Sequence, residues 1–376
     1  MKIKRKKFII TITQITYFLI ICVAILRATQ FHVMRTDNMD LARHFHMMDL
    51  IKKSGYSLFE YVFVYGDTFT SNISMKFCYS FNFIVYTVAK YIENYYIMAW
   101  MFVLVSYSII AYIGVDWWRN RGGRKSIMVI FEILICFSLL PFFQVVSGLR
   151  TALSASVTAL AIYLYLYKNR SLSTFIIVSV IAATFHPAFI TAIPFVFLTK
   201  FTDRRKGLAI AIVGSAMIPL TANILIRLPN RFLYSIAFKY LQYTGGEGYT
   251  STRFCYYGVI VICILVILQY VNTYIPIKIS RIVKQYKYPQ KEEIKVYDFT
   301  LYYMLFILSN IGKYEMVLRP AYLLGAMAPI ITGMIFEAQR DFRKSNTFST
   351  IILLMIFIVI SYVSVKYLFW HEEYFT

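Results

Sequence analysis

The segment 147–198 constrains the fold most strongly, because it is almost wholly apolar and yet contains one arginine, Arg150, and one histidine, His186. Apolar runs of about 20 residues are typical of helices that span a bilayer, and such runs recur along the chain. Of the 376 residues, 59% are hydrophobic and 15% are charged, which is not the composition of a soluble domain. The sequence therefore predicts an all-α, polytopic membrane protein that forms one integrated domain over residues 1–376.

Basic residues lie in the short segments between the apolar runs and predict how the chain crosses the membrane. The net charge of +21 is concentrated there, as the positive-inside rule describes. Because no soluble basic domain is predicted, we expect no nucleic-acid partner. The cluster from Lys2 to Lys7 predicts a cytoplasmic N-terminus. About 11 membrane helices follow, counting a broken pair within 172–199, and the other predicted helices are 8–26, 96–115, 127–146, 151–167, 207–226, 255–275, 297–311, 320–337 and 348–368.

The segment 172–199 is predicted to be a re-entrant helix pair. It lies between basic clusters at 168–170 and 200–206, and a single crossing would place the second cluster on the wrong side. Two short helices, 172–185 and 187–199, broken at His186-Pro187, return the chain to the same side. Each is about 20 Å long, which is less than the hydrocarbon core of about 30 Å. The break is therefore expected inside protein or in a water-filled cavity.

Two segments, about 27–95 and 227–254, are predicted to lie at the outer face of the membrane. Within the first, residues 38–53 have apolar side chains at helical spacing, which predicts an amphipathic helix on the membrane surface or over the bundle. Residues 77–92 are too short for a regular crossing and are predicted to be re-entrant or interfacial.

Polar residues of these outer segments are candidate ligands for a substrate. Asp37, Asp40 and His44 share one face of the predicted amphipathic helix, where a solvated polar face is favoured over a divalent-metal site. Asp37 or Asp40 could instead accept a proton from a sugar hydroxyl or orient Arg150. The second outer segment contributes residues that could bind an anionic or sugar substrate, namely Arg227, Arg231, Arg253, Tyr243 and Tyr249. The alternative for these residues is a solvated outer loop.

Arg150 and Arg319 predict an anion site. Each lies on the outer side at the expected start of a helix, and Pro320 would occupy the first helical position after Arg319. Helix N-termini attract anions, and guanidinium groups bind phosphate oxygens bidentately, so a diphosphate is the favoured ligand. The alternative for Arg150 is an arginine that extends to the outer headgroups.

His186 is the most informative single residue, because the helix break around it implies a lined cavity. It could act as a general base or a proton donor, or it could hold a sugar hydroxyl or a phosphate. The alternative is a hydrogen-bonded core histidine. Sequence motifs of pumps, serine hydrolases and zinc proteases are absent, so we do not expect these classes. The five cysteines show no paired spacing and predict neither a disulfide framework nor a metal site.

The stretch GLRTALSASVTALAIYLYLY and the later FIIVSVIAATFHPAFITAIPFVFL resemble the EpsG-like branch of the Wzy-type bacterial polysaccharide polymerases. Arg150, Ala152 and His186 match the family pattern, whereas Pro187 replaces its usual small polar residue. Asp37 fits the acidic residue that this family has after the first crossing, and Arg319 resembles the family's late arginine.

The resemblance implies a glycosyltransferase of the bacterial cytoplasmic membrane that acts at its outer face. It would transfer a growing glycan from undecaprenyl diphosphate to another lipid-linked repeat unit, without a cofactor. Arg150 and Arg319 would stabilise the diphosphate, and His186 or Asp37 would activate the acceptor hydroxyl. Membrane lipids and a chain-length regulator protein are the other expected partners. The alternatives are a metal-dependent polyprenyl-phosphate glycosyltransferase, a lipid-linked oligosaccharide flippase or transporter, and an O-antigen ligase.

Overall fold

The computed structural model describes residues 2–33, 40–69, 73–121, 140, 142–230, 233–234, 237–238, 241, 291–310, 314–331 and 333. The regular elements within these residues are all helices, which confirms the predicted all-α class. They are α1 (Lys2–Thr29), α2 (Asp40–Lys53), α3 (Leu58–Phe63), α4 (Tyr79–Tyr91), α5 (Tyr96–Arg121), α6 (Phe142–Ser147), α7 (Leu149–Ile162), α8 (Leu172–Phe185), α9 (Ile193–Phe201), α10 (Arg204–Leu225), α11 (Lys291–Ser309) and α12 (Tyr314–Ala326). Short 3₁₀ turns cover Ile73–Phe77 and Pro187–Ala192, and a π-helical turn, Tyr163–Tyr167, extends α7.

Two of the described helical segments are long and apolar enough to span a bilayer. They are Tyr96–Asn120 within α5 and Leu149–Tyr167, which comprises α7 and its π-helical turn. The predicted total of about 11 crossings stays a prediction, because 255–275 and 348–368 lie wholly, and 127–146 largely, outside the described residues.

Helix α7 lies at the centre of the bundle and packs against α5, α8 and α12. Of its 14 residues, 11 are buried, and most of these are alanine, serine or threonine. Small side chains let neighbouring helix backbones approach closely, which is the main source of packing contacts between helices in a membrane. The small-residue sequence after Arg150 therefore places this helix where several others can pack around it.

The predicted helix pair at 172–199 is present and folds back on itself. Helix α8 is capped by the Ser171 side chain, which accepts from the Thr174 amide, and it ends at Phe185. His186 has extended backbone angles, φ −157° and ψ 121°, because the ring of a following proline disfavours helical angles at the preceding residue. The rings of Phe175 and Phe197 lie 5.9 Å apart, so the end of α9 returns to the level at which α8 begins.

Polar contacts join the helices at the end of the bundle to which this pair returns. Lys200 Nζ lies 3.3 Å from Asn169 Oδ1, and Asn169 Nδ2 donates to Glu292 at 3.1 Å. Asp116 pairs with Lys168 at 2.9 Å, and Arg204 pairs with Asp298 at 3.0 Å. The basic residues predicted to share the cytoplasmic side are thus close together, and Arg150 lies at the other end of α7.

The described part of the first segment predicted to lie at the outer face contains three helices, α2, α3 and α4. Helix α2 confirms the predicted amphipathic helix, since Leu41, Phe45 and Met48 are all buried, and it packs against α4. With 13 residues, α4 is only about 20 Å long, and its predicted re-entrant or interfacial position stays a prediction.

The predicted helix start at Pro320 is wrong. Helix α12 begins at Tyr314, and Pro320 lies inside it. Proline inside a helix removes one backbone hydrogen bond, but membrane helices tolerate it because neighbouring groups satisfy the freed carbonyl. Arg319 is therefore not at a helix N-terminus, and its contribution to an anion site is its side-chain charge alone.

Candidate functional site

The site is built around the break between α8 and the turn Pro187–Ala192. His186 is 4% exposed, and its Nδ1 accepts a hydrogen bond from the Ala188 amide at 3.1 Å. This side-chain cap satisfies an amide at the start of the turn, where Pro187 has no amide of its own. The imidazole is thereby held in one orientation.

Ser154 of α7 holds the same break from the opposite side. Its hydroxyl contacts two backbone carbonyls, that of Ala182 at 2.8 Å and that of His186 at 2.9 Å. The Ala182 carbonyl lies in the last turn of α8 and also accepts from the His186 amide, whereas the His186 carbonyl lies just past the helix end, where a helix has no amide left to donate. A serine on the central helix thus replaces the missing donor and ties His186 to α7.

Arg319 meets His186 from α12. Its Nη1 lies 3.1 Å from His186 Nε2, and its side chain is half-buried. Helix α12 packs against both α7 and the turn after His186, which brings these two residues together although 133 positions separate them. The structure therefore unites two of the predicted site residues.

Arg150 lies in the first turn of α7, as predicted, with Gly148 at the cap position. Its guanidinium group contacts Met75 Sδ, lies 3.8 Å from Cys78 Sγ and sits over the Phe81 ring at 5.9 Å from the centroid. None of the carboxylates that the structure describes forms an ion pair with it. The Arg150 guanidinium is half-buried against sulfur atoms and a ring, which do not neutralise its positive charge. That charge can therefore attract an anion.

One helical turn separates Arg150 from Ser154 on the same face of α7. Four residues rise about 6 Å along an α-helix, so Arg150 lies about that distance along α7 from the serine that holds His186. Arg150, His186 and Arg319 therefore lie near the N-terminal end of α7, where Phe81 of α4 also packs.

His44 reaches this region from α2. It is buried, and its ring centroid lies 4.9 Å from that of Phe81, the residue beneath Arg150. Burial and the nearby Arg150 charge lower the pKa of His44 to about 4, although Asp40 acts in the opposite direction. The expectation that His44 lies on a solvated polar face is wrong, because α2 turns it toward α4.

Asp40 is exposed and pairs with Arg43 at 3.4 Å, and its predicted role in binding substrate stays a prediction. Of the other predicted residues, Arg227 is exposed in the turn after α10, and Asp37, Arg231, Tyr243, Tyr249 and Arg253 lie outside the described residues. Among the described residues no group of three or more His, Cys, Asp or Glu is arranged to hold a metal ion.

Sequence reasoning missed the roles of Ser154, Met75 and Phe81. Ser154 could have been found, because it is a polar residue four positions after Arg150 and therefore lies on the same helix face. Met75 and Phe81 carry no such signal, since one apolar side chain among many cannot be singled out before the chain is folded.

The sequence model of the EpsG family matches residues 15–374 of the chain. Comparison with curated proteins and with solved structures gives no match. The family match covers nearly the whole chain, and so extends well beyond the segment 147–198 that carries the resemblance.

Proposed function

Because the chain belongs to the EpsG family, a Wzy-like polysaccharide polymerase-type family of membrane proteins, we propose that it joins lipid-linked oligosaccharide repeat units. The substrates are undecaprenyl-diphosphate-linked oligosaccharides, and the reaction takes place at the outer face of the bacterial cytoplasmic membrane. The enzyme is a glycosyltransferase that lengthens the glycan by one transfer at a time.

The bonds and electrons of the transfer step balance without a nucleotide or a redox partner. The bond between the anomeric carbon of the growing glycan and the diphosphate oxygen breaks, and its electron pair stays on that oxygen. The acceptor sugar hydroxyl forms the new bond to the anomeric carbon and loses its proton to a base. Negative charge therefore accumulates on the diphosphate in the transition state, which is where positive groups lower the barrier most.

The observation that carries the proposal is the cationic region at the Arg150 end of α7. Arg319 lies against His186 at a buried helix break, and Arg150 lies one turn of α7 from Ser154, which contacts the same break. The described contacts of Arg150 are two sulfur atoms and an aromatic ring. Positive charge is expensive inside a membrane bundle and usually marks a binding site for an opposite charge. A lipid diphosphate supplies that charge and can reach the site from the bilayer.

Substitution of the two arginines tests the proposal. Arg150→Ala and Arg319→Ala should each reduce glycan extension at least about 100-fold, measured as polymer length from purified protein in lipid nanodiscs with a lipid-diphosphate-linked repeat unit. Arg205→Ala is the matched control, because Arg205 is an exposed arginine near the start of α10, at the opposite end of the bundle.

A cellular experiment separates polymerisation from transport. In a strain that lacks the protein, a polymerase defect leaves single repeat units on the lipid carrier at the outer face, whereas a flippase defect leaves them inside. Arg150→Ala should reproduce the polymerase pattern. Wild-type polymer length in both arginine variants would refute the proposed site.

A further inference from the structure

Each of the two ring nitrogens of His186 lies against a hydrogen-bond donor, and a neutral imidazole cannot accept hydrogen bonds at both nitrogens at once. The Ala188 amide approaches Nδ1 at 3.1 Å, and Arg319 Nη1 approaches Nε2 at 3.1 Å. Both neighbours are hydrogen-bond donors. A neutral imidazole has one nitrogen that accepts and one that carries a proton, so only one of the two contacts can be a hydrogen bond to the ring.

The fold decides which nitrogen accepts. Ala188 is two residues from His186, and its amide direction is set by Pro187 and by the turn that follows, so it cannot move away from Nδ1. Ser154 holds the His186 carbonyl at 2.9 Å and limits movement of the backbone that carries the ring. Arg319, by contrast, has a long side chain that can shift by rotation. Nδ1 is therefore the acceptor, and Nε2 carries the proton.

This assignment makes Nε2–H and the Arg319 guanidinium two donors that lie side by side. An oxygen atom placed against both accepts from both, and an anionic oxygen also lowers the cost of placing two donors together. Phosphoryl oxygens suit such a pair, because they carry charge and have several lone pairs. A sugar hydroxyl suits it less well, because it carries no charge to balance the guanidinium.

We propose that His186 and Arg319 form a two-donor site for one phosphoryl oxygen of the lipid diphosphate, in which His186 donates through Nε2 and is not the general base. The assignment rests on the proposed function for the identity of the ligand. In the transfer step, His186 and Arg319 stabilise the oxygen that retains the electron pair, and the acceptor proton goes to a different base. Asp37 remains the sequence-based candidate for that base.

Two substitutions separate the roles of the ring nitrogens. Glutamine places an amide donor near the Nε2 position but lacks an acceptor at Nδ1, whereas asparagine places an acceptor near Nδ1 but has no donor at Nε2. We expect His186→Gln to keep polymerisation within about 10-fold of wild type and His186→Asn to lose about 10²- to 10³-fold, the usual loss for one transition-state donor. The reverse order, or an equal loss in both variants, would overturn the proposal.

Two further measurements do not depend on polymerisation. Binding of undecaprenyl diphosphate to the purified variants should weaken in His186→Asn more than in His186→Gln, so failure of the polymerase assignment is distinguishable from failure of the donor assignment. Nitrogen-15 histidine NMR of the wild-type protein, with His186 assigned by its two variants, reads the tautomer directly. A proton on Nδ1 instead of Nε2 would contradict the inference even if every variant were inactive.

Discussion

The Ser154 hydroxyl lies 2.9 Å from the His186 carbonyl and 2.8 Å from that of Ala182, so one side chain of the central helix holds the last turn of α8 at the point where the helix breaks. The contact joins two residues that the chain separates by 32 positions. It fixes the position of a buried imidazole without touching the imidazole itself. Ser154 is therefore a positioning residue.

Removal of that hydroxyl should loosen the break. Ser154→Ala removes the one hydroxyl proton shared by the His186 and Ala182 carbonyls, of which only the Ala182 carbonyl keeps a backbone donor, the His186 amide, and we expect a loss of about 1–3 kcal/mol in the free energy of unfolding. Activity should fall mainly through kcat, because His186 would sample orientations that do not face the diphosphate. Thermal unfolding in detergent and steady-state kinetics measure the two effects. Ser154→Thr, which keeps a hydroxyl, should recover part of kcat, and an unchanged kcat in Ser154→Ala would contradict the positioning role.

Phe81 should matter because it supports Arg150. Phe81→Leu keeps an apolar side chain but removes the ring beneath the guanidinium, a contact usually worth about 0.5–2 kcal/mol. We expect weaker binding of the lipid diphosphate, by several-fold, measured by titration in nanodiscs. Phe83→Leu is the matched control, since Phe83 lies on the same helix but is 50% exposed. Equal binding by the two variants would show that the ring does not hold Arg150.

Stability should depend on pH through His44. Its folded-state pKa of about 4 lies below the ordinary value of 6.5, so the unfolded chain binds more protons between these two values. The free energy of unfolding therefore falls as pH is lowered through this interval, by up to about 1.4 kcal/mol per pH unit. The charged groups that act on His44 are Arg150, Asp40 and Arg43. Melting temperatures at pH 7 and pH 5 measure the effect.

Two histidine variants test whether His44 causes this pH dependence of stability. His44→Gln should reduce the difference in melting temperature between pH 7 and pH 5, because the titrating group is gone. His46→Gln is the control, as His46 is an exposed neighbour on the same helix. If His44→Gln retained the full difference, other groups would account for the pH dependence.

Metal removal distinguishes the proposed polymerase from the metal-dependent alternative. Under the proposed mechanism the positive charge at the diphosphate comes from Arg150, Arg319 and the His186 N–H group, so extension should continue in excess EDTA at a rate close to that without chelator. The measurement is polymer length in nanodiscs, with magnesium added back as a control. Loss of extension that magnesium restores would favour a metal bound by outer-segment carboxylates such as Asp37.

The helix pair was predictable because its determinants are local. The pattern of apolar residues between basic clusters, together with Pro187, predicted a helix over 172–185, and α8 spans Leu172–Phe185. The amphipathic helix near residues 38–53 was predictable for the same reason, since helical periodicity is visible in a short window. Arg150 at the start of a small-residue helix follows from Gly148 and the serines and alanines after it.

The placement of Arg319 and His44 was not predictable in this way. A proline after an arginine favoured a helix start, but packing of α12 against α7 outweighs the cost of a proline inside the helix. His44 looked like part of a polar face until α2 was packed against α4, with the histidine turned toward Phe81.

The sequence alone therefore determined the all-α membrane class, the helices near 38–53 and 172–185 and the break at His186, because hydrophobic runs, charge clusters and proline act over a few residues. Only the tertiary structure decided that Arg319 meets His186, that Ser154 holds the break and that Arg150 rests on Phe81. These contacts join helices that are far apart in the chain, and they depend on how closely the small residues of α7 let those helices approach.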